Sequence, residues 1–186
     1  NMTEEEKNSS LAHIENQCKW LERLVQTLLR IITLDCEIER RPCEVDILFE
    51  GVRQNTQKSL ADRNVILIIN SNGGTLNCNA DLIQSLLINL VDNAAKAYDA
   101  DASDKRVLLN FADDTIEVRD FGRGIPTEAM ERIFDPFYMV DKSRSKKSGG
   151  SGLGLTLVKS IADAHGANLT VKSDVGKGTT IYLHFS

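Results

Sequence analysis

A strict heptad spacing of apolar residues constrains the start of the chain more than any other feature. The steps alternate between three and four residues without a slip, through Leu11, Ile14, Cys18, Leu21, Val25, Leu28 and Ile32. This pattern predicts a helix whose apolar seam packs against a partner helix. Leu24, Leu29 and Ile31 widen the stripe, which favours a four-helix bundle built from two chains. The alternative is a helix that packs on the chain's own globular domain.

A hinge or linker is predicted at 37–44, between this helical arm and the rest of the chain. Pro42 follows the charged run 37–41 and breaks the helical pattern, because proline lacks the backbone N–H that a helix interior needs. The 186 residues suffice for one full core with a smaller appended element. We therefore divide the chain into an arm at 1–40 and a globular domain at 41–186.

The composition argues against several classes of function. The formal charge is -5, so there is no positive field to attract nucleic acid or an anionic membrane. Four cysteines without C-x-x-C spacing argue against a zinc site and a disulfide framework. No apolar run approaches the roughly 18 residues that span a bilayer. We expect a cytoplasmic chain, and any anchor of a longer parent in the cell membrane would lie outside it.

Helical and alternating patterns follow one another in mixed order beyond the arm. Helices are predicted at 45–60, 81–98, 127–133 and 152–165, the last ending at Gly166. Strands are predicted at 65–69, 75–78, 107–111, 115–120, 168–172 and 179–185. Because 107–111 and 115–120 should form a hairpin, this order predicts an α/β (α+β) two-layer sandwich. Its mixed, mostly antiparallel sheet would pack on helices, unlike a doubly wound parallel sheet.

The helix predicted at 81–98 has two different faces. At about 100° per residue, Asn89, Asn93 and Lys96 fall within one narrow arc, and the apolar residues occupy another. Amide oxygens can ligate Mg²⁺, amide nitrogens can donate to phosphate, and the lysine supplies a positive charge. The polar face therefore suits a magnesium-bound polyphosphate. A solvated face of Asn and Lys is the common alternative.

The strand predicted at 115–120 points a carboxylate inward. A period of two places Asp120 on the same face as Ile116 and Val118. A buried carboxylate needs a donor, and an adenine amine is one candidate. Gly122 and Gly124 follow directly, so that the backbone can approach a flat ring. The alternative is an ordinary Asp-Gly turn after a strand.

Residues 149–155 (GGSGLGL) run directly into an amphipathic helix. Such a loop presents backbone N–H groups and a positive dipole end to an anion, which predicts a phosphate cradle. The pattern matches neither the P-loop nor the dinucleotide-binding G-x-G-x-x-G. The preceding segment carries basic residues among serines and predicts a lid over the phosphates; these residues are Lys142, Arg144, Lys146 and Lys147. A flexible linker and a solvated basic loop are the alternatives.

These four pieces, in this order, resemble the ATPase module shared by histidine kinases, gyrase-type ATPases, Hsp90 and mismatch-repair ATPases, the GHKL or Bergerat fold. The resemblance covers residues 45–186. Its motifs are similar to the N box at 89–96, the first glycine box at 120–124, the F box at 134–137 (FDPF), the second glycine box at 150–155 and the closing element at 176–179 (GKGT).

The resemblance implies a site for ATP and Mg²⁺. Asn93 would hold Mg²⁺, Asn89 and Lys96 would contact phosphates, and these three would form the catalytic group. Asp120 would bind the adenine amine with support from Thr179. Further nucleotide contacts would come from Gly122, Gly124, Ile125, Lys142, Arg144, Gly150, Ser151, Gly152, Leu153, Gly154 and Leu155. Ala97 stands where family members often carry an aromatic residue and Tyr98 comes one position later, so no stacking role is assigned to Tyr98.

Asn89 indicates the branch of the family. Hydrolysing relatives carry a glutamate at this position, and a neutral amide cannot take a proton from water. The F box and the arm resemble those of histidine kinases, in which the arm is the second helix of the dimerisation and phosphoacceptor hairpin. The resemblance implies an ATP-dependent protein histidine kinase of a two-component system. It would transfer the γ-phosphoryl group to a histidine of that hairpin, for relay to a response regulator.

The acceptor histidine is expected to lie outside this chain. His13 lacks the acidic neighbour and following proline of the family's acceptor box. His165 and His184 are expected to be structural, with His165 at a helix end where a cation suits the dipole. The chain would be a catalytic fragment, inactive in autophosphorylation by itself and dimeric through the arm, with an acceptor helix and a response regulator as partners.

Two alternatives stay open. One is a serine-directed kinase or an anti-sigma factor of the same fold. The other is a non-enzymatic nucleotide sensor that dimerises through the arm.

Overall fold

Beyond the arm, the described residues form a five-stranded mixed sheet, a two-stranded sheet and three helices. The computed structural model describes residues 11, 14–15, 17–18, 21–22, 24–29, 31, 38–99, 101–141 and 151–185. The strands are β1 (Arg41–Glu44), β2 (Ile66–Ser71), β3 (Thr75–Cys78), β4 (Arg106–Ala112), β5 (Thr115–Asp120), β6 (Asn168–Asp174) and β7 (Gly178–His184). The described helices beyond the arm are α1 (Val45–Ala61), α2 (Ala80–Lys96) and α3 (Gly154–His165), with a 3₁₀ turn at Thr127–Ala129.

The sheet has the strand order β2-β4-β5-β7-β6. β2 and β4 are parallel, and every other neighbouring pair in this sheet is antiparallel. β1 and β3 form a separate antiparallel pair. The predicted two-layer sandwich with a mixed, mostly antiparallel sheet is confirmed, as is the hairpin of β4 and β5.

Alternation along the strands gives the sheet one apolar and one polar face. The buried apolar side chains of the three central strands come from every second residue, namely Val107, Leu109, Phe111, Ile116, Val118, Ile181 and Leu183. On the opposite face Asn70 donates to Asn110 (2.8 Å), and Asn110 donates to Glu117 (3.0 Å). The helices therefore cover one face, and polar pairs lie on the other.

The central helix α2 packs between α1 and α3 and against β5. It begins one residue before the predicted start at Asp81, because Asn79 caps it by accepting from the Leu82 N–H (3.1 Å). It ends at Lys96, two residues short of the predicted end. α3 begins at Gly154 and ends at His165, and the left-handed backbone of the following Gly166 (φ 69°) gives the predicted stop.

The prediction of a linker at 37–44 is wrong for residues 41–44. Residues 41–44 form β1, which pairs with β3 in the register Arg41 with Cys78 and Cys43 with Leu76. Pro42 is tolerated here because a short edge strand need not donate at every position. The pairing brings Cys43 close to Cys78, and burial together with the Cys43 thiol raises the pKa of the Cys78 thiol to about 12. The described cysteines are all free thiols.

His165 lies inside the molecule and not at an exposed helix end. Its Nδ1 pairs with the Ile161 carbonyl oxygen (2.8 Å), and its Nε2 accepts from the Asn79 N–H (3.1 Å). Burial lowers the pKa of the imidazole, and the nearby Arg40 charge lowers it further. The expectation that His165 is a cation at the helix terminus is therefore wrong. The neutral imidazole links the end of α3 to the N-cap of α2 by hydrogen bonds.

The arm is helical at its described positions, from residue 11 to residue 31. Its seam side chains are largely in solvent, with Leu11 63 % and Leu21 55 % exposed, and Ile31 packs against the core of the domain. Ile32 and His13 lie outside the described residues. No helix within the described ranges combines the length and apolar character needed to cross a membrane.

Candidate functional site

A cavity of about 1380 Å³ opens between the end of α2, the end of β5 and the start of α3. The structure places most of the predicted site residues on its surface: Asn89, Asn93, Lys96, Asp120, Gly124, Ile125, Ser151, Gly152, Gly154, Leu155 and Thr179. Gly122 and Leu153 are buried and do not line it. Lys142, Arg144 and Gly150 fall outside the described residues, as do Lys146 and Lys147.

One side of the cavity, the carboxylate wall, is formed by Tyr98, Asp120, Ile125 and Thr179. Asp120 is 6 % exposed at the end of β5, on the face that the period of two predicted. Its Oδ1 accepts from the backbone N–H groups of Gly122 (2.9 Å) and Thr179 (3.3 Å). Oδ2 has no donor among the described residues, so this oxygen remains available to a ligand in the cavity.

Burial moves the titration of the Asp120 carboxyl towards neutral pH. Burial raises the pKa of its carboxyl from 3.8 to about 6, while the Gly122 and Thr179 N–H groups and the Arg123 charge act in the opposite direction. The carboxylate is therefore ionised at neutral pH and has a strong tendency to gain a hydrogen-bond donor.

The closing element supports this wall from behind. Gly178 has φ 99°, and a Cβ there would lie 2.1 Å from the Asp120 carbonyl oxygen, so a side chain would push β5 and β7 apart. Ser173, opposite Thr179 on β6, accepts from the Ile125 N–H (2.8 Å) and bonds to the Thr179 hydroxyl (3.0 Å). The Thr179 backbone thus binds Asp120, and the Thr179 side chain is hydrogen-bonded to Ser173.

The opposite side, the glycine wall, is formed by Asn89, Asn93, Gly152 and Gly154. Asn89 donates its Nδ2 to the Ser85 carbonyl oxygen (2.8 Å), which turns its Oδ1 towards Gly154. A Cβ on Gly154 would lie 3.1 Å from that oxygen and 3.6 Å from Asn93 Nδ2. The absence of a side chain at Gly154 lets the start of α3 approach the polar face of α2.

The start of α3 has no side-chain cap. The N–H groups of a first helical turn have no intrahelical acceptor, so they are available to an anion. The F box fixes the approach to this turn: the Phe137 N–H donates to the Gly152 carbonyl (3.0 Å), and Thr156 donates to the Phe134 carbonyl (3.0 Å).

The oxygen atoms of the cavity suit a hard divalent cation only when a bound ligand supplies further oxygen atoms. Amide oxygens such as Asn89 Oδ1 are acceptable to Mg²⁺. The described part of the chain holds no cluster of three or more His, Cys, Asp or Glu that could bind a metal by itself. The arrangement suits a cation that arrives with phosphate oxygens.

Several cavity residues were not found by sequence reasoning. Gln26 and Thr27 of the arm line the cavity, and so does Arg123, whose guanidinium donates to the Lys96 carbonyl (2.9 Å). No motif marks Gln26 and Thr27, and Arg123 lies inside the first glycine box without having been assigned a role there. Only the register of β6 and β7 places Ser173 behind Thr179.

Comparisons with known proteins identify the family of the chain. Residues 78–186 match the sequence profile of the histidine kinase-, DNA gyrase B- and HSP90-like ATPases. The chain is 30 % identical to the sensor protein SrrB of Staphylococcus aureus (strain NCTC 8325 / PS 47), over 96 % of this chain and 32 % of that protein. It thus spans about a third of the length of the curated relatives it matches.

Solved structures show the same fold. Full-length ShkA in complex with AMPPNP superposes with a TM-score of 0.75 at 22 % identity, over 98 % of this chain and 39 % of that one. The histidine kinase AdeS of Acinetobacter baumannii superposes with a TM-score of 0.74 at 21 % identity, over 100 % of this chain and 87 % of that one. The chain therefore belongs to the histidine kinase-, DNA gyrase B- and HSP90-like ATPase family and has the fold of the histidine kinase catalytic domains.

Proposed function

We propose that the chain binds Mg-ATP in the cavity between the carboxylate wall and the glycine wall. The observation that carries this proposal is that Asp120 and the amide face of α2 line one cavity, together with the uncapped start of α3. These groups recognise opposite ends of a nucleotide: an acceptor for a base amine, and donors for a charged tail. AMPPNP bound to the structural neighbour ShkA supports a nucleotide as the ligand.

Each group has a defined part in this binding mode. Asp120 Oδ2 would accept from the adenine amine while Oδ1 keeps its two backbone donors. The N–H groups at Gly152, Gly154 and Leu155 would bind the phosphates, with the segment that carries Lys142, Arg144 and Gly150 closing over them. Lys96 and Asn89 would contact the phosphates and Asn93 would hold Mg²⁺, which, when bound, neutralises charge on the phosphate oxygens.

The reaction that fits is transfer of the γ-phosphoryl group to a protein side chain. A hydrolase needs a base beside the phosphates to activate water, and Asn89 offers a neutral amide there. In a two-component sensor the acceptor would be a histidine of the dimerisation hairpin, and a response regulator would receive the phosphoryl group next. We therefore propose a protein histidine kinase whose present chain needs an acceptor helix supplied from outside.

The arm has a separate role in this proposal. The exposed seam residues Leu11, Ile14, Leu21 and Val25 would pack against a second copy of the chain in a four-helix arrangement. The functional boundary would then lie between residues 40 and 41, where the arm gives way to β1. We place the catalytic region in the cytoplasm, where ATP and a response regulator are available, on a parent anchored in the cell membrane.

Two measurements test the proposal. Calorimetric titration with ATP should show one site per chain whose affinity falls when Mg²⁺ is removed with a chelator. Incubation with labelled ATP and an isolated acceptor hairpin should transfer label to the hairpin, and acid should release it, because phosphohistidine is acid-labile. Acid-stable label would support the serine-directed alternative, and binding without transfer would support the nucleotide sensor. Absence of ATP binding would refute the nucleotide site itself.

A further inference from the structure

The hydroxyl group of Tyr98 occupies an unusual place between two strands. It accepts from the backbone N–H groups of Phe121 (3.0 Å) and Arg106 (3.2 Å), and it donates to the Arg106 carbonyl oxygen. One side-chain oxygen thus engages three backbone groups. The ring lines the cavity on the same side as Asp120.

The register of the sheet explains what this hydroxyl replaces. In the antiparallel pair of β4 and β5, Val107 lies opposite Asp120. The next position along the ladder would place Arg106 opposite Phe121, and the Tyr98 hydroxyl takes the backbone groups that would form that pair. β5 therefore ends at Asp120, and the chain can leave the sheet into the first glycine box.

Two further bonds tie the same turn to the end of α2. The Arg123 N–H donates to the Ala97 carbonyl (3.1 Å), and the Arg123 guanidinium donates to the Lys96 carbonyl (2.9 Å). The guanidinium groups of Arg119 and Arg106 lie 4.7 Å and 5.0 Å from the centre of the Phe121 ring, and these contacts restrain the ring. Tyr98 is the member of this set that lies next to Asp120 in the cavity wall.

We propose that Tyr98 is a positioning residue for recognition of the nucleobase, acting through the Phe121 backbone on the adjacent Asp120. This inference rests on the proposed function, because it assumes that Asp120 binds the base. Its hydroxyl fixes the point where β5 ends and so fixes the direction of the Asp120 carboxylate. In the proposed binding mode the phosphates would lie against the glycine wall and would not contact this hydroxyl.

The test is the ratio of two affinities in the Tyr98→Phe variant. Loss of the hydroxyl leaves the Phe121 N–H without its acceptor while the ring is kept, so ATP affinity should fall by about 10-fold. Affinity for magnesium tripolyphosphate, which has phosphates but no base, should change by less than about twofold. Tyr182→Phe on β7 is the matched control, because its ring contacts Lys172 on the strand pair β6 and β7, away from the cavity.

The outcomes separate this inference from the function on which it rests. If Tyr98→Phe lost equal affinity for ATP and for tripolyphosphate, or lost affinity for neither, the positioning role would be overturned. The proposed function would still hold, provided that the wild-type chain binds ATP. A wild-type chain that bound no ATP would overturn both. If the variant does not fold, hydrogen exchange of the wild-type Phe121 amide decides: slow exchange and a resonance shift with ATP but not with tripolyphosphate support the role, and fast exchange contradicts it.

Discussion

The two walls of the cavity are built on opposite principles. On the carboxylate wall, protein groups satisfy one another: Asp120 accepts from Gly122 and Thr179, Thr179 pairs with Ser173, and Tyr98 holds Phe121. On the glycine wall, α3 begins without a side-chain cap and the Asn89 oxygen faces the Gly154 backbone. One wall is fixed before a ligand arrives, and the other keeps its polar groups for the ligand.

The difference indicates how the free energies of folding and binding are divided. A hydrogen-bonded wall contributes to folding and presents a single acceptor in a fixed direction, which suits the discrimination of one base from another. First-turn N–H groups contribute little to folding, but they can bind any well-placed anion. We expect base selectivity to depend on the carboxylate wall and affinity for the charged tail on the glycine wall.

The largest effect should come from Asp120→Asn. The amide oxygen can replace Oδ1 as acceptor for the Gly122 and Thr179 N–H groups, which leaves the amide nitrogen, a donor, towards the cavity. Two donors then face each other at the adenine amine, so ATP affinity should fall about 100-fold in a calorimetric titration. Magnesium tripolyphosphate should bind as before.

The control is Asp113→Asn in the β4–β5 turn, where the left-handed backbone (φ 49°) suits asparagine equally. It removes the same charge far from the base and should leave ATP affinity unchanged. If Asp120→Asn weakened ATP and tripolyphosphate alike, the division of roles between the two walls would be wrong.

The second test concerns pH and stability. The Asp120 pKa is raised from 3.8 to about 6 in the folded chain, so the folded state holds more protons than the unfolded state between these values. Its contribution to the free energy of unfolding is fully present below the lower value and is lost as pH rises through the higher one. The free energy of unfolding of Asp120→Asn, relative to that of wild type, should therefore rise by on the order of 2–3 kcal/mol between pH 4 and pH 7.

Urea unfolding of both proteins across this range would measure the difference. The His165 imidazole, whose lowered pKa acts in the opposite direction, is common to both proteins and cancels. If the free energies of unfolding of the two proteins changed with pH in parallel, the Asp120 carboxyl would titrate normally and would not be buried in solution.

The glycine wall is tested by Gly154→Ala. Alanine is a better helix former than glycine, but its Cβ would lie 3.1 Å from Asn89 Oδ1 and crowd the space between α2 and α3. ATP affinity should fall about 10-fold, with adenosine affinity unchanged. Gly51→Ala on α1 is the control, since its Cβ meets only the end of the flexible Gln84 side chain. A loss of adenosine binding as well would show that the two walls are coupled.

Sequence periodicity predicted the parts of the molecule that depend on local order. The inward direction of Asp120 followed from the period of two, and the polar arc of Asn89, Asn93 and Lys96 followed from the helical period. The order of strands and helices was enough to predict the mixed sheet. These features need only neighbours along the chain.

Features that depend on register were beyond the sequence. β1 was missed because Pro42 indicates a break, and only its pairing with β3 makes residues 41–44 a strand. Ser173 supports Thr179 because β6 and β7 place them opposite each other. The Tyr98 hydroxyl acts at the end of the β4–β5 ladder, and its partners are backbone groups that carry no sequence signal.

The smallest effect is expected from Asn79→Ala, which tests whether both walls are held locally. Asn79 caps α2, the helix that carries Asn89 and Asn93, and its backbone N–H to His165 survives the substitution. Loss of the cap should lower the free energy of unfolding by about 1 kcal/mol and the melting temperature by about 3 °C. Asn72→Ala, in the exposed β2–β3 turn, should change neither.

Because Asn89 lies nearly three helical turns from the cap, affinities of Asn79→Ala for ATP and tripolyphosphate should stay within about twofold of wild type. A parallel loss of either affinity would mean that the cavity depends on the whole length of α2, and the local bonds at Asn89, Gly154 and Asp120 would not suffice to hold the two walls.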